Sequence, residues 1–544
     1  MKKMKYLNSV YFAILLIFPI VSGCEDMLEE IPSKQQEIIP TKIEYLNGFL
    51  VDKTAQSLVV EAQILMSDDY VPLKTFQKRE SSHYTQALAQ MPMTWSMNIL
   101  SETQYEYGPW KYCYNQIYLA NTMLEYIPEV SGTKEEKART GADAHYWRAL
   151  NHFYLITNYA LPYGNNGSNR SALGVPLKKD TNLENFPNRS SVGEVYDFIL
   201  NELQLAEDYL KDQPLQVAEI GNVMQWRASA PALYALYARV YLAMGDFANA
   251  LKYAQKALDN NGEARLVNYA TEMSYAAEME FEVIVYEEEG VETKEVVKYP
   301  ITASQTFGYY EWKENYYKRT AHMPSSLWQV PSDDFIALFG ADEATRELDL
   351  RYKYYFIDNY SYTESSFRGG TDSEGTFTPA EKLGVWEGRE DIGPSVSEMY
   401  LIKAECQARA GNFKDAETTI NQLRAHRFDV SVGASVMNLT FTSVEDAVRK
   451  ILNERRREMP FFFRWNDMAR IAGYGEATTY LPETVTREFY EFTTNQVFTD
   501  KPKTFTFSPG TDIQKFAFPL PNKDIEQVAV YGVIMKQNEY PSDQ

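Results

Sequence analysis

The strongest constraint on this chain is a short pattern that occurs twice. Ala238-Arg239-Val240-Tyr241-Leu242-Ala243-Met244-Gly245-Asp246-Phe247-Ala248-Asn249-Ala250 runs on to Ala257-Leu258, and Ala404 leads to Gly411-Asn412-Phe413-Lys414-Asp415-Ala416. In both, an alanine stands seven residues before a glycine, Asp or Asn and then Phe follow it, and another alanine stands five residues after it. Small residues let two helices cross closely, the glycine ends the first helix, and the phenylalanine closes the turn. Each pair leaves an apolar face that a neighbour must bury. Roughly 150 residues that read differently separate the two units, so the chain predicts helical pairs within a larger scaffold, not a regular solenoid.

The pairs have tetratricopeptide spacing, and the rest of the chain agrees with a mainly α fold. Ile43 to Met66 reads as one amphipathic stretch; Trp110 to Ile127, Lys134 to Tyr159 and Val192 to Leu210 read as further helices with apolar stripes at three- and four-residue spacing. Phe281 to Tyr286 and Glu295 to Tyr299, around Glu288-Glu289-Gly290, alternate as a β-hairpin. Thr363 to Pro379, rich in Gly, Ser and Thr, reads as a long surface loop. The expected architecture is one compact unit over 41–544: an N-terminal helical region (41–270), an irregular loop and hairpin region carrying part of a ligand site (271–395), and a C-terminal region (396–544).

The first thirty residues point to export. Lys2, Lys3 and Lys5 precede an apolar run from Val10 to Val21 broken only by Pro19. That run is too short for a span, which needs roughly 20 apolar residues; it reads as a cleavable leader over 1–23. It ends Val21-Ser22-Gly23-Cys24, which resembles the bacterial lipobox, so Cys24 is the expected lipid attachment site. The alternative is an ordinary secretory leader with a cysteine at its end. Glu25-Asp26-Met27-Leu28-Glu29-Glu30 then opens an acidic tether to residue 40, read as a surface-export signal or simply a solvated linker.

Charge and chemistry exclude several functions. The formal charge is −22, and removing the leader's three lysines takes it to −25. Nucleic-acid binding rests on neutralising phosphates, so no nucleic-acid partner is expected, and neutral ligands are favoured over polyanions. Cys113 and Cys406 are too few for a disulfide framework and fit buried apolar sites. His145 and His152 share a helix face but lack any zinc-site pattern, and no phosphate loop or nucleophile elbow occurs. Neither enzyme nor cofactor nor metal is expected. Arg455-Arg456-Arg457, bracketed by Glu454 and Glu458, reads as ion pairs between neighbouring helical turns.

Several blocks, in order, resemble the SusD/RagB family of Bacteroidetes outer-membrane lipoproteins. They are Asp143-Ala144-His145-Tyr146-Trp147-Arg148-Ala149-Leu150 with Phe153; Glu398-Met399-Tyr400-Leu401-Ile402-Lys403-Ala404-Glu405 with Asn421-Gln422-Leu423-Arg424; Glu454-Arg455-Arg456-Arg457-Glu458 with Arg464-Trp465-Asn466-Asp467-Met468-Ala469-Arg470; and Phe518-Pro519-Leu520-Pro521 with Gln537-Asn538-Glu539-Tyr540. Phe462-Phe463 depart from the family, which often has Glu-Gly there. The resemblance implies a lipid-anchored protein facing the cell exterior. It would sit as a lid on a TonB-dependent, SusC-like outer-membrane barrel and pass oligosaccharides to it.

Aromatic residues nominate the site. The chain has 40 Tyr, 28 Phe and 8 Trp, and Tyr and Trp present an apolar face with a polar edge, the complement of a sugar ring. Trp110, Trp147, Trp226 and Trp465 lie on helices and read as core. Outside the helices, Trp95 follows Asp69 and Arg79, while Tyr309, Tyr310, Trp312 and Trp328 lie in the irregular middle. In starch-binding relatives the sugar platform draws on these two regions, so the resemblance implies that Trp95, Tyr310 and Trp312 stack on sugars while Asn98, Arg79 and Asp69 bond hydroxyls. A peptide-capturing protein of the same fold, or a helical scaffold docked on the barrel without a ligand of its own, remain the alternatives.

Overall fold

The computed structural model describes residues 40–51, 57–59, 61–72, 91–97, 109–210, 225–273, 278–286, 292–300, 312–322, 329–360, 380–384, 389–460, 462–492 and 498–540. Its frame is a run of helices: α1 (Ile43–Asn47), α2 (Glu61–Met66), α3 (Trp110–Tyr126), α4 (Lys134–Tyr159), α5 (Val192–Leu210), α6 (Ala230–Met244), α7 (Phe247–Asp259), α8 (Val396–Arg409), α9 (Phe413–Arg424), α10 (Val444–Glu458) and α11 (Phe462–Gly473). Local chemistry starts them. Thr133 and Glu136 form a reciprocal capping box on α4, and the hydroxyls of Ser229, Ser395 and Ser443 accept from the first turns of α6, α8 and α10.

Both helical pairs form as their spacing predicts. Gly245 (φ 75°) and Gly411 (φ 77°) adopt the left-handed conformation that a side chain resists. In each, the amides of the glycine and the next residue turn back onto the preceding helix: Gly245 to Leu242 O and Asp246 to Tyr241 O, Gly411 to Ala408 O and Asn412 to Gln407 O. Ala238, Ala250, Ala254, Ala257, Ala404 and Ala416 have no exposed surface. Although far apart in sequence, the two pairs are neighbours in space, because α7 packs on α8. Helices α3 to α8 thus follow one another as a continuous stack, and α8 also meets α9 and α10.

One expectation fails. The stretch Ile43 to Met66 is divided: after α1 come a 3-10 turn (Gly48–Leu50), a strand (Ser57–Val59) and α2. The strand is the edge of a three-stranded sheet, parallel to Thr320–His322, which pairs antiparallel with Arg389–Asp391 on its other side. A helical period cannot report such a partner, which lies far away in the chain. The hairpin in the middle region is present as Glu278–Tyr286 against Glu292–Pro300, and a second, not foreseen, joins Val485–Phe492 to Phe498–Phe507. The loop expected over Thr363–Pro379 lies outside the described residues.

A buried ion network locks the stack. Glu398 of α8 takes Arg239 of α6 (2.5 Å) and Arg455 of α10 (3.3 Å); Glu405 takes Arg470 (2.7 Å) and Arg409 (3.0 Å). Arg351 lies between Asp349, Glu454 and Glu458 (2.7–3.0 Å), and Arg427 bridges Glu314 and Glu458. Burial pushes the Glu405 carboxyl up, but Arg470 and Arg409 outweigh it and hold it at about 2. The Arg455-Arg456-Arg457 run is therefore only partly what its sequence suggests. Arg457 pairs with Glu454 one turn back, whereas Arg455 reaches Asp467 and Arg456 reaches Asp69. Removing one partner of such a pair leaves an uncompensated buried charge, so the motif blocks of α8, α10 and α11 act on stability first.

Candidate ligand-binding site

Where the two helical pairs meet, their ends leave a pocket open to solvent. Its wall comes from Asn261, just past α7, the following loop (Arg265, Asn268, Glu272), the first turns of α8 (Val396, Tyr400) and His426 beyond α9. Arg265 donates to both oxygens of Glu272 (2.8 and 2.7 Å), and the Asn268 amide donates to the same carboxylate (2.9 Å). The Arg265 hydrogen bonds pull the Glu272 carboxyl down to about 2, so it is ionised at any physiological pH. Asn261 Oδ1 accepts from the Tyr316 hydroxyl, which turns its amide N–H₂ to other acceptors. His426 Nδ1 lies 2.8 Å from Gln422 O and must donate there, so in the neutral ring Nε2 is an acceptor. Amide donors, an imidazole acceptor, a carboxylate and a phenol around one opening suit a neutral ligand dense in hydroxyl groups.

Trp312 stands beside this pocket. Its carbonyl accepts from Gln225 Nε2 (3.0 Å), and the carbonyl of Lys313 accepts from the Arg265 amide (3.0 Å). The half-buried Trp312 ring meets Tyr269, the neighbour of Asn268, edge to face at 6.2 Å. Of the residues nominated from sequence, Trp312 alone among those described is both partly exposed and next to an open polar pocket. Cys24, Arg79, Asn98, Tyr309, Tyr310 and Trp328 lie outside the described residues.

Trp95 and Asp69 require correction. Trp95 has no exposed surface: its ring stacks on Phe507 (5.6 Å), lies under the Arg487 guanidinium (4.5 Å) and donates from Nε1 to Met66 O (3.0 Å). No face of it is left for a sugar. It also sits at φ 54°, a conformation a bulky residue adopts only when its surroundings impose it. Asp69 is equally buried, and accepts from Arg456 Nε (3.0 Å) and Nη2 (2.5 Å). Burial pushes its carboxyl above the usual range and the charge of Asp68 adds to this, while Arg456 opposes. Arg487 donates to the carbonyls of Leu65, Ser67, Tyr70 and Met93, and burial lowers it to about 9. The early region that sequence offers as a loop is here a pinned part of the core. A tryptophan between two methionines and a proline gives no sign of which.

None of the pocket residues was anticipated. They come from three separated stretches, 261–272, 396–400 and 426, and only folding assembles them. The structural readings of the other residues stand, except that Trp226, expected on a helix, lies in the turn before α6. Trp147 and Trp465 are fully buried, Trp110 nearly so and Trp226 half-buried; Cys113 and Cys406 are buried thiols. His145 pairs with Glu202 (2.8 Å), and His152, lowered to about 3 by burial, donates from Nδ1 to Arg148 O. Among the described residues no group of His, Cys, Asp and Glu could hold a metal ion, and no helix is long and apolar enough to cross a membrane.

Two family models match the chain, one described as "starch-binding associating with outer membrane" over residues 28–242 and one as the SusD family over residues 341–540. The SusD-like protein P38 of Formosa agariphila is 23% identical over 509 residues, covering 86% of this chain and 92% of that protein. Among solved structures, a SusD superfamily protein from Bacteroides thetaiotaomicron aligns with a TM-score of 0.58 at 19% identity, over 92% of this chain and all of its own. A laminarin-binding SusD-like protein gives 0.54 at 16% identity (92% and 99% covered), and surface glycan-binding protein A from Bacteroides uniformis gives 0.56 at 15% (91% and 99% covered). At such identities the structures speak for the fold, and the motif blocks, the family models and the full-length relative agree with them: this chain belongs to the SusD/RagB family.

Proposed function

We propose that the protein is a cell-surface glycan-binding lipoprotein that captures neutral oligosaccharides and delivers them to a TonB-dependent outer-membrane transporter. The observation that carries the binding role is the open pocket of Asn261, Asn268, Glu272, Tyr400 and His426 beside Trp312. A sugar offers an apolar C–H face to an indole and hydroxyls to amides and carboxylates, and this place supplies both. The laminarin-binding and glycan-binding relatives support a carbohydrate over a peptide. Location follows from the leader and Cys24, with an acidic tether of residues 24–40 between lipid and body, and the transporter partner follows from the family's role.

The decisive experiment is calorimetry of the mature protein against neutral β- and α-glucan oligosaccharides, other plant and algal glycans, and mixed peptides. A glycan that binds, with peptides inert, is the expected result; peptide binding alone overturns the reading. Radiolabelled fatty acid should enter the parent and not Cys24→Ser, and the partner barrel should co-purify from outer membranes with the lipidated protein.

A further inference from the structure

A second pocket, separate from the ligand site, lies on the seam between the two halves of the chain. Its wall joins Thr157 and Tyr163, at and beyond the end of α4, to Arg455 of α10 and Asn466 of α11, with Phe462 and Phe463 among its aromatic lining. Two polar atoms on this wall have no partner. Arg455, only 4% exposed, spends Nε on Asp467 (2.8 Å) and Nη2 on Glu398 (3.3 Å), but its Nη1 bonds nothing; Asn466 Oδ1, also buried, bonds nothing either. One is a donor and the other an acceptor. A buried orphan of either kind costs about 1–3 kcal/mol, and two orphans of opposite sense on one cavity wall call for a shared partner.

The remaining wall groups define that partner. Thr157 Oγ1 donates to Phe153 O (2.8 Å) and keeps its lone pairs; Tyr163 accepts from Arg170 (2.6 Å) and keeps its own O–H. The wall therefore offers two donors and two acceptors, the valence of water. It offers no net charge to draw an ion, because Arg239, Arg455 and Arg470 face Glu398, Glu405 and Asp467. The interior is about 60 Å³, room for more than one water.

We propose that this seam pocket holds two ordered water molecules that join the N-terminal and C-terminal halves through Tyr163, Thr157, Arg455 and Asn466. The solvent is then part of the seam rather than filler, since no protein group satisfies Arg455 Nη1 there. An atomic-detail crystal structure of the parent, with and without xenon pressure, tests this. Expected are two density peaks within hydrogen-bond distance of Arg455 Nη1 and Asn466 Oδ1, and no xenon. A dry cavity, xenon density, or a direct Arg455–Asn466 hydrogen bond overturns it. Thr157→Val, the milder variant, should fold and lose one of the two peaks. Asn466→Leu should make the pocket more apolar, so that xenon enters. Both peaks retained in Thr157→Val would also overturn the assignment.

Discussion

Trp95 and Trp312 entered as equals, two tryptophans outside regular helices, and the fold gives them opposite environments. Trp95 is sealed between Phe507 and Arg487, in a backbone conformation its surroundings enforce. Trp312 is half-buried beside a polar pocket, its carbonyl accepting from Gln225 and its ring edge to face with Tyr269. The difference teaches that an aromatic in an irregular segment becomes a platform only where the scaffold leaves its face uncovered. Around Trp95 the second hairpin and Arg487 close that face. Trp312 keeps part of its surface in solvent, near the opening left where the two helical pairs meet.

Replacing each tryptophan should separate stability from binding. Trp95→Ala deletes a fully buried ring and should lower unfolding stability by about 3–5 kcal/mol, read by denaturant titration; a loss below about 1 kcal/mol would show that the ring is not packed as described. Arg487→Met removes the donor that serves four carbonyls and should cost about 2–3 kcal/mol in the same assay, without changing ligand affinity in the folded protein. Trp312→Ala should do the reverse. Glycan affinity should fall about tenfold, roughly 1.4 kcal/mol, by calorimetry, with little change in melting temperature. Unchanged affinity would remove Trp312 from the site.

The smallest effect concerns pH. Glu272 titrates at about 2 in the folded protein, below its ordinary value of 4.5, so the pocket keeps its carboxylate until the pH falls close to 2. Glycan affinity should be flat from pH 5 to 8 and weaken only in that acid window. In Glu272→Gln that acid step should vanish; an acid step kept in the variant would remove Glu272 from the site.

Much of the frame was readable before any coordinates. The glycine-centred pairs and the spans 134–159 and 192–210 depend on interactions within a turn or two of chain. Readings that depended on distant partners failed. The stretch 43–66 lost its middle to a strand that pairs with residues 320–322, and Arg456 passed over its helical neighbours for Asp69. Of the candidate site only its neighbour Trp312 was legible, because the lining residues are common polar residues near helix ends.

What the sequence alone determined was therefore local and periodic: which segments are helical, where the turns fall, and, through ordered motif blocks, the family. What only the tertiary structure decided was adjacency. It set the two pairs side by side through α7 and α8, buried Trp95 and Asp69, and gathered Asn261, Glu272, Tyr400 and His426 around one opening. The physical reason is range. Capping and helical periodicity are settled by neighbours a few residues away, whereas exposure of a side chain is settled by whichever distant element covers it.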